Sequence, residues 1–193
     1  MVPRGHYFRR HIRRLVSIWC SHHLRYLSYA DQLRKARQLH DQGALCKQEG
    51  NLHAAKAAFE ESLAALQESL PERMSEEERE GHYRVVATLN ELVDVTFILK
   101  EWEECLEYCR RAVKGLLHLF GSYCWVMTGL RKLRIACLCA KLCRREEDPQ
   151  KAPSLREEGI ASLQEAEELL EMTHGKDHSV FEKDVQRIRQ RLT

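Results

Sequence analysis

The chain has 193 residues, 31 Lys+Arg against 29 Asp+Glu, and 44% hydrophobic side chains. That length predicts one domain with room for a small appendage, and the balance of apolar and charged residues excludes a chain disordered throughout. Nine glycines and four prolines are too few for the many turns of a β-sandwich, so composition points to helices.

Charge is unevenly spread. Residues 1–30 hold six arginines and no acid, which leaves 25 basic and 29 acidic side chains in residues 31–193. An Arg-rich arm therefore precedes a mildly acidic body that has no global pull on nucleic acid. In the arm, Ile12, Leu15, Val16 and Trp19 recur at helical spacing. Three readings of 1–30 stand: a weakly ordered start joined to the domain, a mitochondrial-type targeting segment, or a contact with an anionic surface. The apolar run Leu15–Trp19 is too short for a secretory signal, and no stretch of the chain is apolar for long enough to span a membrane. Eight cysteines without CxxC spacing read as free thiols of a cytosolic or nuclear protein.

From residue 31 the apolar pattern steps by three and four. Leu33, Ala36, Leu39, Gly43 and Cys46 mark a first helix, Gly50 a stop, and Asn51 a cap for the next. Ala55, Ala58, Phe59, Leu63 and Leu66 form a second stripe that Pro71 ends, and Ser75 to Glu78 reads as a capping box. The third stripe is Val85, Val86, Leu89, Leu92, Val93 and Phe97. The fourth is Trp102, Cys105, Leu106, Cys109, Ala112, Val113 and Leu116, closed by Gly121. Val126, Leu130, Leu133, Cys137 and Ala140 make the fifth. Residues 144–153, with two prolines, read as an exposed loop, and Ser154 to Glu157 as the capping box of a sixth helix carrying Gly159, Leu163, Ala166 and Leu170. Gly175 stops it, and Phe181, Val185, Ile188 and Leu192 mark a last one. The chain is expected to be all-α, with about seven helices and an eighth in the arm.

Three of these helices share a small-x3-large-x2-small element: Ala55-Phe59-Ser62, Cys105-Cys109-Ala112 and Gly159-Leu163-Ala166. Small residues let paired helices approach and the larger one fills the gap, so the element signals repeated helical hairpins. The copies lie 50 and 54 residues apart, longer than the usual tetratricopeptide period of about 34. The expected architecture is a tetratricopeptide-like right-handed superhelix of about three antiparallel hairpins plus a C-terminal helix over residues 31–193.

Local motifs extend that reading. ESLP (68–71) precedes a helix with Tyr83 near its start, and Lys100-Glu101-Trp102-Glu103-Glu104 precedes Tyr108. Leu119-Phe120-Gly121-Ser122 leads into the next hairpin, and Thr173-His174-Gly175-Lys176-Asp177-His178-Ser179 lies near the C-terminus. With these segments, residues 33–192 resemble the C-terminal helical domain of the SET-and-MYND (SMYD) lysine methyltransferases. The G-x-x-H step is shared with kinesin-light-chain-type repeats, so a scaffold subunit of that kind stays open. The loop 144–153 departs from the family's compact hairpin. The resemblance implies a domain that shapes a substrate cleft and contacts a chaperone. The zinc-binding and SET motifs of the family are not among these residues. The implied chain is a detached helical domain without methyltransferase activity by itself, or a part of an enzyme whose SET domain lies outside it.

The residues offer no nucleophile, cofactor motif or metal set. Cys105/Cys109 and Cys139/Cys143 are i, i+4 pairs that could face a zinc ion, but the first pair occupies packing positions. His174 and His178 lack a convincing third partner. The acidic runs Glu76–Glu80 and Glu165–Glu171 read as solvated helix surface. The remaining candidate is a partner groove on the first helices of the hairpins, formed by His40, Lys47, Asn90, Asp94, Arg131 and Arg134, with Lys132 beside them. A basic groove suits an acidic peptide tail. Where chaperone-binding repeats place an Asn pair, this chain has Ala44 and Asp94, and Asp94 is expected to repel a carboxylate. The expected function is protein–protein interaction without cofactor, metal or covalent chemistry.

Overall fold

The computed structural model describes residues 29–66, 76–121, 125–146, 148, 150–174 and 179–193. Among them the chain forms seven helices and no strand: α1 (29–48), α2 (Leu52–Ala65), α3 (Glu76–Leu99), α4 (Trp102–Phe120), α5 (Trp125–Cys143), α6 (Lys151–His174) and α7 (Ser179–Leu192). The arm 1–28, Pro71, Ser75, Gly175 and His178 lie outside the described residues, as do the side chains of Glu78, His174 and Phe181. Apart from where α2 ends, the readings that rest on them stay untested.

Two turns show why the chain doubles back. After α1, Gly50 takes φ +79°, and the Asn51 amide donates to the Cys46 carbonyl at 2.9 Å. The left-handed residue and the six-residue hydrogen bond close the helix, and glycine accepts that φ without a side-chain clash. Asn51 then caps α2 by accepting the Ala54 amide. Fifty residues later the same bond recurs, from the Glu101 amide to the Thr96 carbonyl at 3.0 Å. There Lys100 occupies the left-handed position with φ +65°, which no sequence rule would assign to a lysine.

The predicted stripes of α2, α3, α4 and α6 face inward, as do Val185, Ile188 and Leu192 of α7, and every member of the α4 stripe is buried. The three small-large-small elements are buried throughout, in α2, α4 and α6. Phe59 fills the space over Gly43, where an added Cβ would stand 2.7 Å from the ring, so α1 and α2 are as close as a glycine permits. Gly159 does the same for α6, against Leu192 and Cys139. Each helix packs on its successor, and α5 additionally touches α7. Burying a residue such as Phe59 contributes about 2–3 kcal/mol through the hydrophobic effect alone.

Polar side chains also join helices that are not neighbours in the chain. On the even-numbered helices, Lys56 bonds Glu101 and Glu104 at 2.8 and 2.5 Å, and Tyr108 donates to Glu60 at 2.8 Å. Arg110 donates to both Glu158 carboxylate oxygens through Nε and Nη2, one edge of the guanidinium, at 2.8 and 2.5 Å. Burial works against the Lys56 charge, but the hydrogen bonds to the two glutamates outweigh it and raise its pKa. The bond to Arg110 holds the Glu158 carboxyl below the usual range.

Three sequence expectations need correction. Helix α2 ends at Ala65, before Pro71, so the proline is not what stops it. Helix α6 starts at Lys151, not after Ser154: Asp148 organises its entry by accepting the Gln150 amide on its carboxylate and the Lys151 and Ala152 amides on its carbonyl. Pro153 is tolerated because first-turn amides need no intrahelical acceptor. In α5, Val126 is exposed and Leu130 and Cys137 half-buried, while Ile135, Ala136, Leu138, Cys139 and Leu142 are buried. This helix packs against α4 on one side and α6 on another, so its apolar surface is wider than one stripe.

Candidate binding groove

A groove of about 550 Å³ opens between α3, α5 and α7. Helix α5 lines its length with Met127, Leu130, Arg131, Arg134, Cys137 and Lys141, steps of three and four that share one face. Asp184, Arg187, Ile188 and Arg191 do the same on α7, and α3 adds Asp94 and Phe97. The lining carries five cations against two carboxylates, a local excess of three positive charges on a body with the opposite net sign.

Aromatic faces hold two of these cations. The Arg134 guanidinium lies over the Phe97 ring at 4.0 Å from its centroid. The Lys141 ammonium is 4.1 Å from the Trp102 centroid and 5.0 Å from that of Phe97. Phe97 and Trp102 meet edge to face at 5.3 Å. Such contacts are worth about 0.5–2 kcal/mol each, and they fix a charge in place without neutralising it. Among the described residues neither cation has an ion-pair partner, nor does Arg191. The Arg187 pair with Asp184 is an exposed i, i+3 contact at 3.5 Å, weak by its setting.

Asp94, Arg131 and Arg134 are the expected site residues that line this groove. Asp94 does not stand there as a bare repelling charge: Lys47 Nζ and Arg131 Nη1 each approach it at 3.7 Å. The Arg131 side chain is largely enclosed, and its Nε has no hydrogen-bond partner. His40, Lys47 and Asn90 belong elsewhere. His40 shares a 2.9 Å hydrogen bond between Nδ1 and Thr88 Oγ1 and rests against Phe59. Burial, with the nearby Arg84 charge, holds its pKa below the ordinary value. Lys47 bonds Glu91 at 2.8 Å, and the enclosed Asn90 Oδ1 has no partner. Lys132 turns to α6 and pairs with Glu165 at 2.8 Å. Lys141, Arg187 and Arg191 line the groove although no motif of the sequence singles them out, and Phe97, expected in the core, lines it too. The i, i+4 spacing of Arg187 and Arg191 beside Ile188 was the available signal.

The cysteine pairs are not poised for metal. Cys105 and Cys109 are fully buried, and Cys105 donates to the Val93 carbonyl at 3.4 Å. The hydrogen bond with Cys105, and then burial, push the Cys109 thiol far up. Burial pushes Cys139 up to about 12, and Cys143 donates to the Ala152 carbonyl at 3.5 Å. A metal ligand must be a thiolate, which the settings of Cys109 and Cys139 disfavour. Among the described residues no three His, Cys, Asp or Glu side chains converge as a metal set, and no helix is long and apolar enough to cross a membrane. No protein-family model matches the chain, and no curated protein is significantly similar to it in sequence.

Proposed function

We propose that the chain is a protein-interaction module, a tetratricopeptide-like stack of hairpins whose α3–α5–α7 groove receives a segment of a partner protein. The single observation that carries this reading is the groove itself, a cleft of about 550 Å³ with an apolar floor and a cationic rim. Its size falls in the range of about 300–1,000 Å³ usual for ligand sites. The repeated turn at Gly50 and Lys100 supports the hairpin array, as do the equivalent buried elements in α2, α4 and α6. Kinship with the helical domain of SET-and-MYND proteins is part of the proposal and rests on the motifs quoted above. Recognition by first-helix side chains needs no covalent step.

The test is site-specific photo-crosslinking in cells. A photoreactive residue at Leu130, in the groove, is expected to capture a partner band that the same residue at Glu107, on the outer face of α4, does not. Equal labelling from both positions, or none from Leu130, overturns the reading.

A further inference from the structure

We infer that the groove takes an acidic peptide segment with one apolar anchor, its carboxylates held by Arg134, Lys141, Arg187 and Arg191 and its anchor seated on Met127 and Leu130. This rests on the groove being the binding surface. The acid preference follows from the charge excess and from how the cations are held. Arg134 and Lys141 are propped on aromatic faces, so their N–H groups remain available as donors. A guanidinium fork binds a carboxylate through two parallel hydrogen bonds, which gives direction as well as affinity. The anchor follows from the floor: Met127 is 40% exposed and Leu130 half-buried in the same cleft. Covering them removes apolar area from water, a gain that a purely ionic ligand leaves unused.

A nucleic acid fits these observations less well. Beyond the groove, residues 31–193 carry 27 acids against 20 bases, so a long polyanion would be repelled on either side of it. The aromatic ring in the lining, Phe97, carries Arg134 and Lys141 on it, which leaves it a poor platform for stacking bases.

The experiment is selection of a displayed random-peptide library on the full chain, with Arg191→Glu as counter-target and Lys141→Gln as a second variant. Circular dichroism melts check that both variants fold as the parent does. The expected binders hold two or more Asp or Glu around a Leu, Ile or Met. They weaken at least tenfold on either variant, and about tenfold when the anchor becomes Ala or the acids become amides. Their affinity falls with added salt. Groove-dependent binders without acids overturn this inference and leave the groove reading intact. Binders indifferent to both variants overturn the two together. A thymidine oligonucleotide that outcompetes the best peptide at the groove overturns the choice of a peptide.

Discussion

The seam between α1 and α3 and the groove between α5 and α7 are built alike, from charged side chains on the odd-numbered helices, and they end in opposite electrostatic states. At the seam two cations of α1 meet acids of α3: Arg37 pairs with Glu80, and Lys47 with Glu91 and Asp94. In the groove, α7 offers Asp184 where the cations of α5 and α7 need several acids, and the excess is propped on Phe97 and Trp102 instead. A face that neutralises itself is structural. A face that holds uncompensated charge beside exposed apolar side chains has recognition left to do. The difference separates what a substitution should change, since the seam bears on stability and the groove on binding.

The comparison breaks most sharply at Phe59, whose ring lies under the seam against His40 and Gly43. Phe59→Ala should cost about 3–5 kcal/mol in urea unfolding. A loss under about 1 kcal/mol would mean that α1 does not pack as described. Next, Lys47→Glu places a third acid beside Glu91 and Asp94 and should cost about 1 kcal/mol at low salt, less at high salt. Arg191→Glu in the groove should change stability by less than about 0.5 kcal/mol. Equal costs would erase the distinction between the two faces.

A smaller effect is expected at the second turn. Lys100→Gly relieves a left-handed lysine and should stabilise the chain by about 0.5–1 kcal/mol in the same assay, whereas Gly50→Lys should destabilise it by a similar amount. The smallest is a pH dependence. His40 is held below its ordinary value of 6.5 in the folded state, so the unfolded chain takes up that proton first as pH falls. Stability should decline on acidification below about pH 6.5, and His40→Gln should flatten that part of the curve. An unchanged slope would place His40 in water.

Much of the fold was legible in the residues. The three-and-four steps gave the inward faces of α2, α3, α4, α6 and α7, Gly50 and Asn51 gave the first turn, and the small-large-small element marked the three buried seams. Where the reading failed, a local rule met a tertiary one. Helix α5 is sandwiched, so Ile135, Leu138, Cys139 and Leu142 are buried although they fall outside its predicted stripe. The turn at Lys100 repeats the one at Gly50 without its glycine, because packing of the flanking helices over-determines the backbone there.

The candidate site was legible only in part. Asp94, Arg131 and Arg134 could be placed on first helices, but a charge on a helix face looks the same whether its neighbour neutralises it or not. That neighbour lies about fifty residues away. The sequence by itself settled the helical class, the inward faces of most helices and the turn at Gly50, since periodicity and capping are properties of neighbouring residues. Only the tertiary structure decided that Lys47 is spent on Glu91 and Asp94 while Arg134 and Lys141 are not, and that α7 brings Arg187 and Arg191 to the same cleft. Those outcomes depend on which helix packs beside which, and charges couple strongly only within a few ångströms.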